Sequence, residues 1–167
     1  MRLFSVWYHG KALFKRVLFF CIYRNRLKIG SKTTWRRNFS VLLNKDGKIN
    51  IGKNCFFNND CSLVSMKSIE IGDGTLFGEN VKIYDHNHKF NNLDIAIKKQ
   101  GYSIEGITIG SHCWVGSNVV ILKGTHIGNN CVIGAGCVVN SNIASNTIVT
   151  LNSNSLEVTA LIPKTKQ

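Results

Sequence analysis

The sequence predicts an all-β fold, a solenoid of short parallel strands with a triangular cross-section. An apolar residue returns at every sixth position of its most regular stretch, at Ile109, Val115, Ile121, Ile127, Ile133 and Val139. Glycine follows four of these lead residues, and a small or branched side chain stands four places after each of them. A period of six fits neither an amphipathic helix nor an alternating strand, so it indicates a repeating architecture.

Each hexapeptide is expected to form one short side and one corner, so that three hexapeptides complete a coil. Ile109 then lies under Ile127, and Cys113 under Cys131, with about 4.8 Å between coils as in any sheet. The lead residue and the small residue four places later both face the axis. Because the backbone hydrogen bonds run between coils, no coil is stable alone.

Residues 1–28 are predicted to form a basic amphipathic segment of one or two helices. Phe4, Trp7 and Tyr8 share one helical face, and the uninterrupted apolar run over residues 17–23 is far shorter than the ~20 residues that cross a bilayer. No signal-peptide cleavage pattern follows, so export is not expected. The segment either lies on an anionic membrane surface or packs against the solenoid or a neighbouring subunit.

The positive charge is concentrated at the N-terminus. Residues 1–40 contain ten Lys or Arg and no acidic residue, whereas the remainder is nearly balanced. Nucleic acid is therefore not an expected partner of the solenoid. The basic segment suits either the inner face of the plasma membrane or an anionic polymer, and charge alone does not decide between them.

The solenoid is predicted to cover residues 29–150, with a tail over 151–167 that caps its open end. Two extra residues, Ile69 and Glu70, are expected before the third coil. The period then stops over residues 89–106, a polar and aperiodic stretch. A loop of this length inside a regular solenoid usually carries function.

The six cysteines do not form a disulfide or zinc pattern. Five of them occupy the inward position four places after a lead residue, which predicts small core side chains. Cys21 belongs to the N-terminal helical face. The absence of a disulfide framework favours a reducing compartment, the cytoplasm, and no metal site is expected.

Three features together resemble the left-handed β-helix, or hexapeptide-repeat, acyltransferases. They are the coils of period six, the segment Tyr84–His88 directly before the long loop, and Trp114 ahead of Val-Gly. The resemblance covers residues 29–145 and is nearest to galactoside and maltose acetyltransferases and to bacterial polysaccharide O-acetyltransferases, including those acting on capsular sialic acid. It implies a homotrimer that binds acetyl-coenzyme A between adjacent solenoids.

The resemblance assigns His88 as the catalytic base, with His86 as the alternative. A sugar hydroxyl is a poor nucleophile near neutral pH, and an imidazole can take its proton as it attacks the thioester carbonyl. The same group can then protonate the departing thiolate, so no acyl-enzyme is required. The backbone N–H around Ser117 matches the position that stabilises the developing oxyanion.

Three residues are expected near the acceptor. Trp114 resembles the tryptophan that walls the acceptor and pantetheine site, although a corner side chain packed on the next subunit is the alternative. Asn59 lies near the family's acceptor-binding asparagine. Asp85 is expected either to contact the acceptor or to orient a histidine, and as a solvated loop carboxylate it would do neither.

The predicted coenzyme contacts are carried over from the same resemblance: Trp114, Gly116, Ser117, Ala135, Asn140 and Ser141. Asn140 and Ser141 stand where many members have Thr-Lys. Residues 150–153 replace the usual Gly-x-Pro turn after the last coil. These departures affect the nucleotide end of the coenzyme, not the thioester chemistry.

The function predicted is acetyl transfer from acetyl-coenzyme A to a hydroxyl of a bacterial capsule or lipopolysaccharide saccharide, at the cytoplasmic face. An N-acetyltransferase of an amino sugar on the same fold is the alternative. A zinc hydratase of the γ-carbonic anhydrase type needs three histidines around one metal, and His112 and His126 do not have the close spacing of that type. A purely structural solenoid would leave the histidines and the loop unexplained.

Overall fold

The computed structural model describes residues 16–44, 46–152 and 155–160. The predictions for Phe4, Trp7 and Tyr8, and those for the last seven residues, therefore lie outside the described residues. Residues 16–23 form the helix α1, followed by a 3-10 turn over Arg24–Arg26. A second 3-10 turn covers Ile97–Lys99 in the long loop.

Strands follow one another around the axis, three to a coil. The first coil contains β1 (Leu27–Ile29), β2 (Thr34–Trp35) and β3 (Ser40–Leu43). The second contains β4 (Lys48–Ile51), β5 (Phe56–Phe57) and β6 (Ser62–Ser65), and the third β7 (Ser68–Ile71), β8 (Leu76–Phe77) and β9 (Lys82–Tyr84). A hairpin of β10 (His86–His88) and β11 (Tyr102–Ile104) then interrupts the series.

The fourth coil contains β12 (Ile107–Ile109), β13 (Trp114–Val115) and β14 (Val120–Leu122). The fifth contains β15 (His126–Ile127), β16 (Val132–Ile133) and β17 (Val138–Val139). The series ends with β18 (Thr147–Asn152) and β19 (Ser155–Ala160), which pair antiparallel.

Stacking of the coils produces three sheets, which are parallel except for the β18–β19 pair. The first has the order β1-β4-β7-β12-β15, the second β19-β18-β16-β13-β8-β5-β2, and the third β17-β14-β9-β6-β3. Ile109 pairs with Ile127, as the period of six predicts. The all-β solenoid fold is therefore confirmed.

One detail of the second coil differs from the prediction. Ile69 and Glu70 are not the extra residues, because they belong to β7 and pair with Ile49 and Asn50. The extra residues are Met66 and Lys67, where the chain bends between β6 and β7. This bend is held from outside its own coil, by the carboxylate of Asp85.

Lead residues form continuous columns inside the prism. In the early coils the column of the second sheet is aromatic, and the rings of Phe57 and Phe77 stack with centroids 4.4 Å apart and an interplanar angle of 3°. The five inward cysteines are all buried and unpaired, and Cys21 is exposed. The prediction that these five are core side chains is confirmed.

The N-terminal end of the prism is covered by α1. Phe19 of this helix lies 6.1 Å from the Trp35 ring and 6.2 Å from the Phe39 ring, measured between centroids. The Tyr23 hydroxyl donates to the carbonyl of Val41 over 2.8 Å. Within the described residues, no helix is both long and apolar enough to cross a membrane.

Candidate active site

The regular series of coils is interrupted directly after β9. At Asp85 the chain leaves the third sheet and forms the β10–β11 hairpin, in which His86 pairs with Ile104 and His88 with Tyr102. Most of the intervening loop is exposed. The chain rejoins the first sheet at β12, so the two histidines project from the corner between the third and first sheets.

Asp85 is the buried centre of this corner. Its side chain has no exposed surface, and its carboxylate lies 2.7 Å from the Ser65 hydroxyl and 2.8 Å from the N–H groups of both Met66 and Lys67. His86 Nδ1 lies 3.1 Å from Oδ1 of the same carboxylate. The structure therefore places Asp85 behind the histidine, where it can orient the ring, and leaves it no surface on which an acceptor could bind.

The contact with Asp85 favours one tautomer of His86, because a carboxylate oxygen accepts a hydrogen bond and Nδ1 must then carry the proton. With Nδ1–H donating to the carboxylate, Nε2 is the ring nitrogen with a free lone pair. The side chain of His86 is 16% exposed, so it reaches the surface from a mostly buried position.

His88 has a more open environment. It is exposed, and its ring lies 4.5 Å from that of Tyr102 at an interplanar angle of 39°. Within the described chain, no hydrogen bond fixes the His88 ring. Tyr102 also contacts His86 edge-on, with centroids 5.6 Å apart. The two histidines thus share one aromatic neighbour, which sequence reasoning missed because only the hairpin pairing brings residue 102 to residue 88.

Trp114 lies on another side of the prism. It occupies the outer face of the second sheet, is 57% exposed, and pairs with Leu76 and Val132 in the neighbouring coils. Among the described residues, no ring contact or hydrogen bond connects Trp114 to either histidine. A single chain therefore does not join the predicted tryptophan wall to the predicted base.

The corner after β13 contains a backbone donor that differs from those at several other corners. At several corners, the N–H that follows the glycine or small residue donates to a side-chain oxygen in the next coil. Examples are Asp73 N–H to Ser111 Oγ over 3.1 Å, Glu79 N–H to Ser117 Oγ over 3.1 Å, and Asn129 N–H to Ser145 Oγ over 2.9 Å.

At Ser117 this bond is missing because the residue stacked on it is Ala135. The stacking is close, since a Cβ on Gly116 would lie 2.6 Å from the backbone nitrogen of Ala135. Alanine has no side-chain acceptor, and within the described chain the Ser117 N–H has no hydrogen-bond partner. Ala135 is exposed and Ser117 is half-buried, so this N–H lies at a corner that reaches the surface, three residues after Trp114. An unpaired backbone donor in such a position can stabilise a negative oxygen.

The other predicted contact residues are placed as follows. Asn59 lies at the corner between β5 and β6, where its amide donates to Glu79 Oε1 over 2.9 Å and accepts from the Arg37 N–H over 3.3 Å. Its side chain is thus already engaged within the solenoid. Asn140 and Ser141 follow β17, and both are exposed.

The buried cysteines do not supply a nucleophile to this site. Burial raises the pKa of the thiols of Cys55, Cys61 and Cys137, and raises that of Cys113 to about 11. These groups remain neutral thiols near neutral pH. Within the described residues, no group of three His, Cys, Asp or Glu side chains could hold a metal ion.

The fold is a parallel β-solenoid interrupted by a hairpin that carries two histidines, and comparison with known proteins identifies its family. Residues 106–141 match the family described as bacterial transferase hexapeptide (six repeats). The chain is 32% identical over 140 residues to the putative lipopolysaccharide biosynthesis O-acetyl transferase WbbJ of Escherichia coli K12, with 66% of this chain and 71% of WbbJ covered. It is 36% identical over 110 residues to the galactoside O-acetyltransferase of the same organism, with 65% of this chain and 52% of that protein covered.

A solved structure gives the same result. The hexapeptide-repeat acetyltransferase VCA0836 of Vibrio cholerae, in complex with acetyl-coenzyme A, superposes with a TM-score of 0.71 and 26% identity, over 89% of this chain and 79% of that one. The chain belongs to the hexapeptide-repeat acyltransferases. The family prediction is thus confirmed, as is acetyl-coenzyme A as a ligand within that family. The chain spans between 35% and 71% of the length of three curated relatives it matches.

Proposed function

We propose that this chain is an acetyl-coenzyme A-dependent O-acetyltransferase whose acceptor is a hydroxyl of a bacterial cell-surface saccharide. The observation that carries the proposal is the Asp85–His86 pair, a buried carboxylate 3.1 Å from an imidazole that reaches the surface. Such a pair suits general-base activation of a hydroxyl. The names of WbbJ and the galactoside enzyme support a saccharide acceptor.

In the proposed reaction, Nε2 of His86 takes the proton of the acceptor hydroxyl as its oxygen attacks the thioester carbonyl. The Ser117 N–H donates to the carbonyl oxygen as it becomes negative. Collapse of the tetrahedral intermediate breaks the carbon–sulfur bond, and the imidazolium returns the proton to the leaving thiolate. The products are an acetyl ester and coenzyme A.

We favour His86 over His88 as the base, which differs from the assignment by family resemblance. Of these two histidines, His86 is the one with a carboxylate beside it that can fix its tautomer and ring orientation. His88 is exposed and stacked on Tyr102, a position suited to contact with a sugar ring or with the hydroxyl before attack.

We also propose that the complete site forms between chains of a homotrimer. Trp114 and the open Ser117 corner lie on the second sheet, whereas the histidines project from the corner between the third and first sheets. A neighbouring chain could bring these two regions together. The outer faces of the second and third sheets carry exposed apolar side chains suited to such contacts: Leu42, Leu76, Trp114 and Val138. The free buried thiols fit a cytoplasmic location.

The test is release of coenzyme A thiol from acetyl-coenzyme A, measured with a panel of capsule and lipopolysaccharide oligosaccharides. We expect one class of saccharide to stimulate release, and His86→Asn to remove that stimulation by ~10² or more while the oligomer persists. His88→Asn is the matched comparison and is expected to raise KM for the saccharide more than it lowers kcat. If instead His88→Asn loses the larger part of kcat and His86→Asn the smaller, His88 is the base.

A further inference from the structure

The outer face of helix α1 is apolar. The inner face carries Phe19 and Tyr23, which contact the first coil. The exposed apolar side chains of the same helix, with their exposed fractions, are Val17 (57%), Leu18 (46%), Phe20 (70%) and Ile22 (55%). Cys21 lies among them and is also exposed.

This arrangement is the reverse of what an end cap requires. Strands β1, β2 and β3 are terminal in their sheets, and α1 covers the apolar interior at that end. A terminal cap normally turns a polar outer face to water, because otherwise it would expose a new apolar surface. A contiguous apolar patch on such a cap indicates a surface that is covered in use.

Basic side chains border the apolar patch. Arg24 and Lys28 are exposed and line a cleft of about 560 Å³ beside Phe20, between α1 and β1. The printed sequence contains no Asp or Glu before Asp46. A second copy of the same end would therefore bring two positive surfaces together, whereas an anionic partner would be attracted.

We propose that the outer face of α1 binds the surface of an anionic phospholipid membrane, with Val17, Phe20 and their apolar neighbours at the acyl boundary. Arg24 and Lys28 then contact headgroup phosphates, the usual arrangement of a helix that lies in an interface. This proposal does not depend on the acetyl-transfer proposal, since membrane binding can be measured without any acceptor.

The test uses the full-length chain and two readouts. The first is co-sedimentation with vesicles of phosphatidylglycerol and phosphatidylcholine, compared with phosphatidylcholine alone. The second is the emission of an environment-sensitive dye attached to Cys21, the one exposed cysteine of the six. We expect sedimentation and a blue shift with anionic vesicles, both weakened by salt, and neither with neutral vesicles.

The double variant Phe20→Ser, Ile22→Ser is expected to lower the partition coefficient by ~10-fold or more, because it removes two large apolar side chains from the interface. Val158→Ser is the matched control, since Val158 is 58% exposed on β19, the terminal strand of the second sheet at the opposite end. This control is expected to bind as the native chain does.

Three results would overturn the proposal. Emission that is already blue-shifted without vesicles and does not change on their addition would mean that the chain covers this face itself. A shift that follows protein concentration instead of vesicle concentration would mean that a second copy covers it. Equal sedimentation of the double variant and the native chain would mean that the apolar face does not contact lipid.

Discussion

Substitution of Ala135 by Ser is expected to inactivate the enzyme without unfolding it. At the equivalent corners, a serine hydroxyl accepts the backbone N–H of the coil below over 2.9 to 3.1 Å. The new hydroxyl would accept the Ser117 N–H in the same way and so occupy the donor that we propose stabilises the oxyanion. Loss of one such donor costs about 10²–10³ in kcat, or ~2.7–4 kcal/mol of transition-state stabilisation.

Unlike its activity, the stability of Ala135→Ser is not expected to fall. Pairing the Ser117 N–H adds a hydrogen bond of about 0.5–1.5 kcal/mol, so the Tm of Ala135→Ser should be unchanged or higher. Steady-state kcat and KM for acetyl-coenzyme A, with Tm by calorimetry on the same preparation, measure both effects. A loss of activity in a protein that is at least as stable would be difficult to explain by damage to the fold.

Two further variants separate the hydrogen bond from the shape of the corner. Ala135→Gly adds no acceptor and is expected to keep kcat within about threefold, well short of the loss for one donor. Ser111→Ala removes an acceptor from a different corner, that of Asp73, and should lower Tm while sparing kcat. The reasoning is refuted if Ala135→Ser keeps near-native kcat, or if Ala135→Gly loses as much.

Three other predictions follow from the same contacts. Asp85→Asn leaves at least one backbone N–H of the 66–67 bend facing an amide donor, which should cost about 1–3 kcal/mol of stability. It should also lower kcat with little change in KM for acetyl-coenzyme A, whereas an unchanged kcat would show that the carboxylate does not serve His86. Mixed oligomers of His86→Asn and Ala135→Ser, each inactive alone, should recover about a quarter of native activity if each site takes one region from each of two chains, and no activity if one chain supplies both. Burial raises the pKa of the Cys113 thiol from 9.0 to about 11 in the folded state. The resulting contribution to folding stability is fully present below pH 9 and is lost as the pH rises towards 11. Cys113→Ala should therefore show a shallower fall of Tm over that range than the native chain, and parallel curves would contradict the assignment.

The period of six was sufficient to predict the coils, because inward side chains at fixed spacing leave few alternatives for the backbone. It placed Ile109 under Ile127 correctly. It could not locate the extra residues of the second coil, since Ile69 and Ile71 serve equally well as lead residues. The bend lies at Met66 and Lys67, whose N–H groups donate to the carboxylate of Asp85 in the next coil.

The same bend explains what the sequence could not reveal about the site. Asp85 stands in a polar segment and gives no sign of burial, yet the structure surrounds it with four hydrogen-bonding groups. The unpaired Ser117 N–H was more accessible to prediction, because the repeat stacks residue 135 on residue 117. What the repeat did not provide was the hydrogen bond that several other corners make at this position with a side-chain oxygen of the next coil.

The position of Trp114 relative to the histidines is the feature of the site that the sequence predicts least well. Both were predicted to belong to one site between adjacent solenoids, and one chain places them on separate sides of the prism. Their proposed meeting depends on association between chains, which the hydrophobic pattern of a single chain does not encode in detail.

The most direct test of acetyl transfer to a saccharide is the chemical identity of the product. The native chain, given acetyl-coenzyme A and the oligosaccharide panel, is expected to add acetyl to one saccharide class through an ester, seen by mass spectrometry and removed by mild alkali. His86→Asn should leave that saccharide unmodified. An acetyl group that resists alkali would identify an amide and an amino-sugar acceptor, and failure to acetylate any saccharide while acetyl-coenzyme A binds would contradict the proposed function.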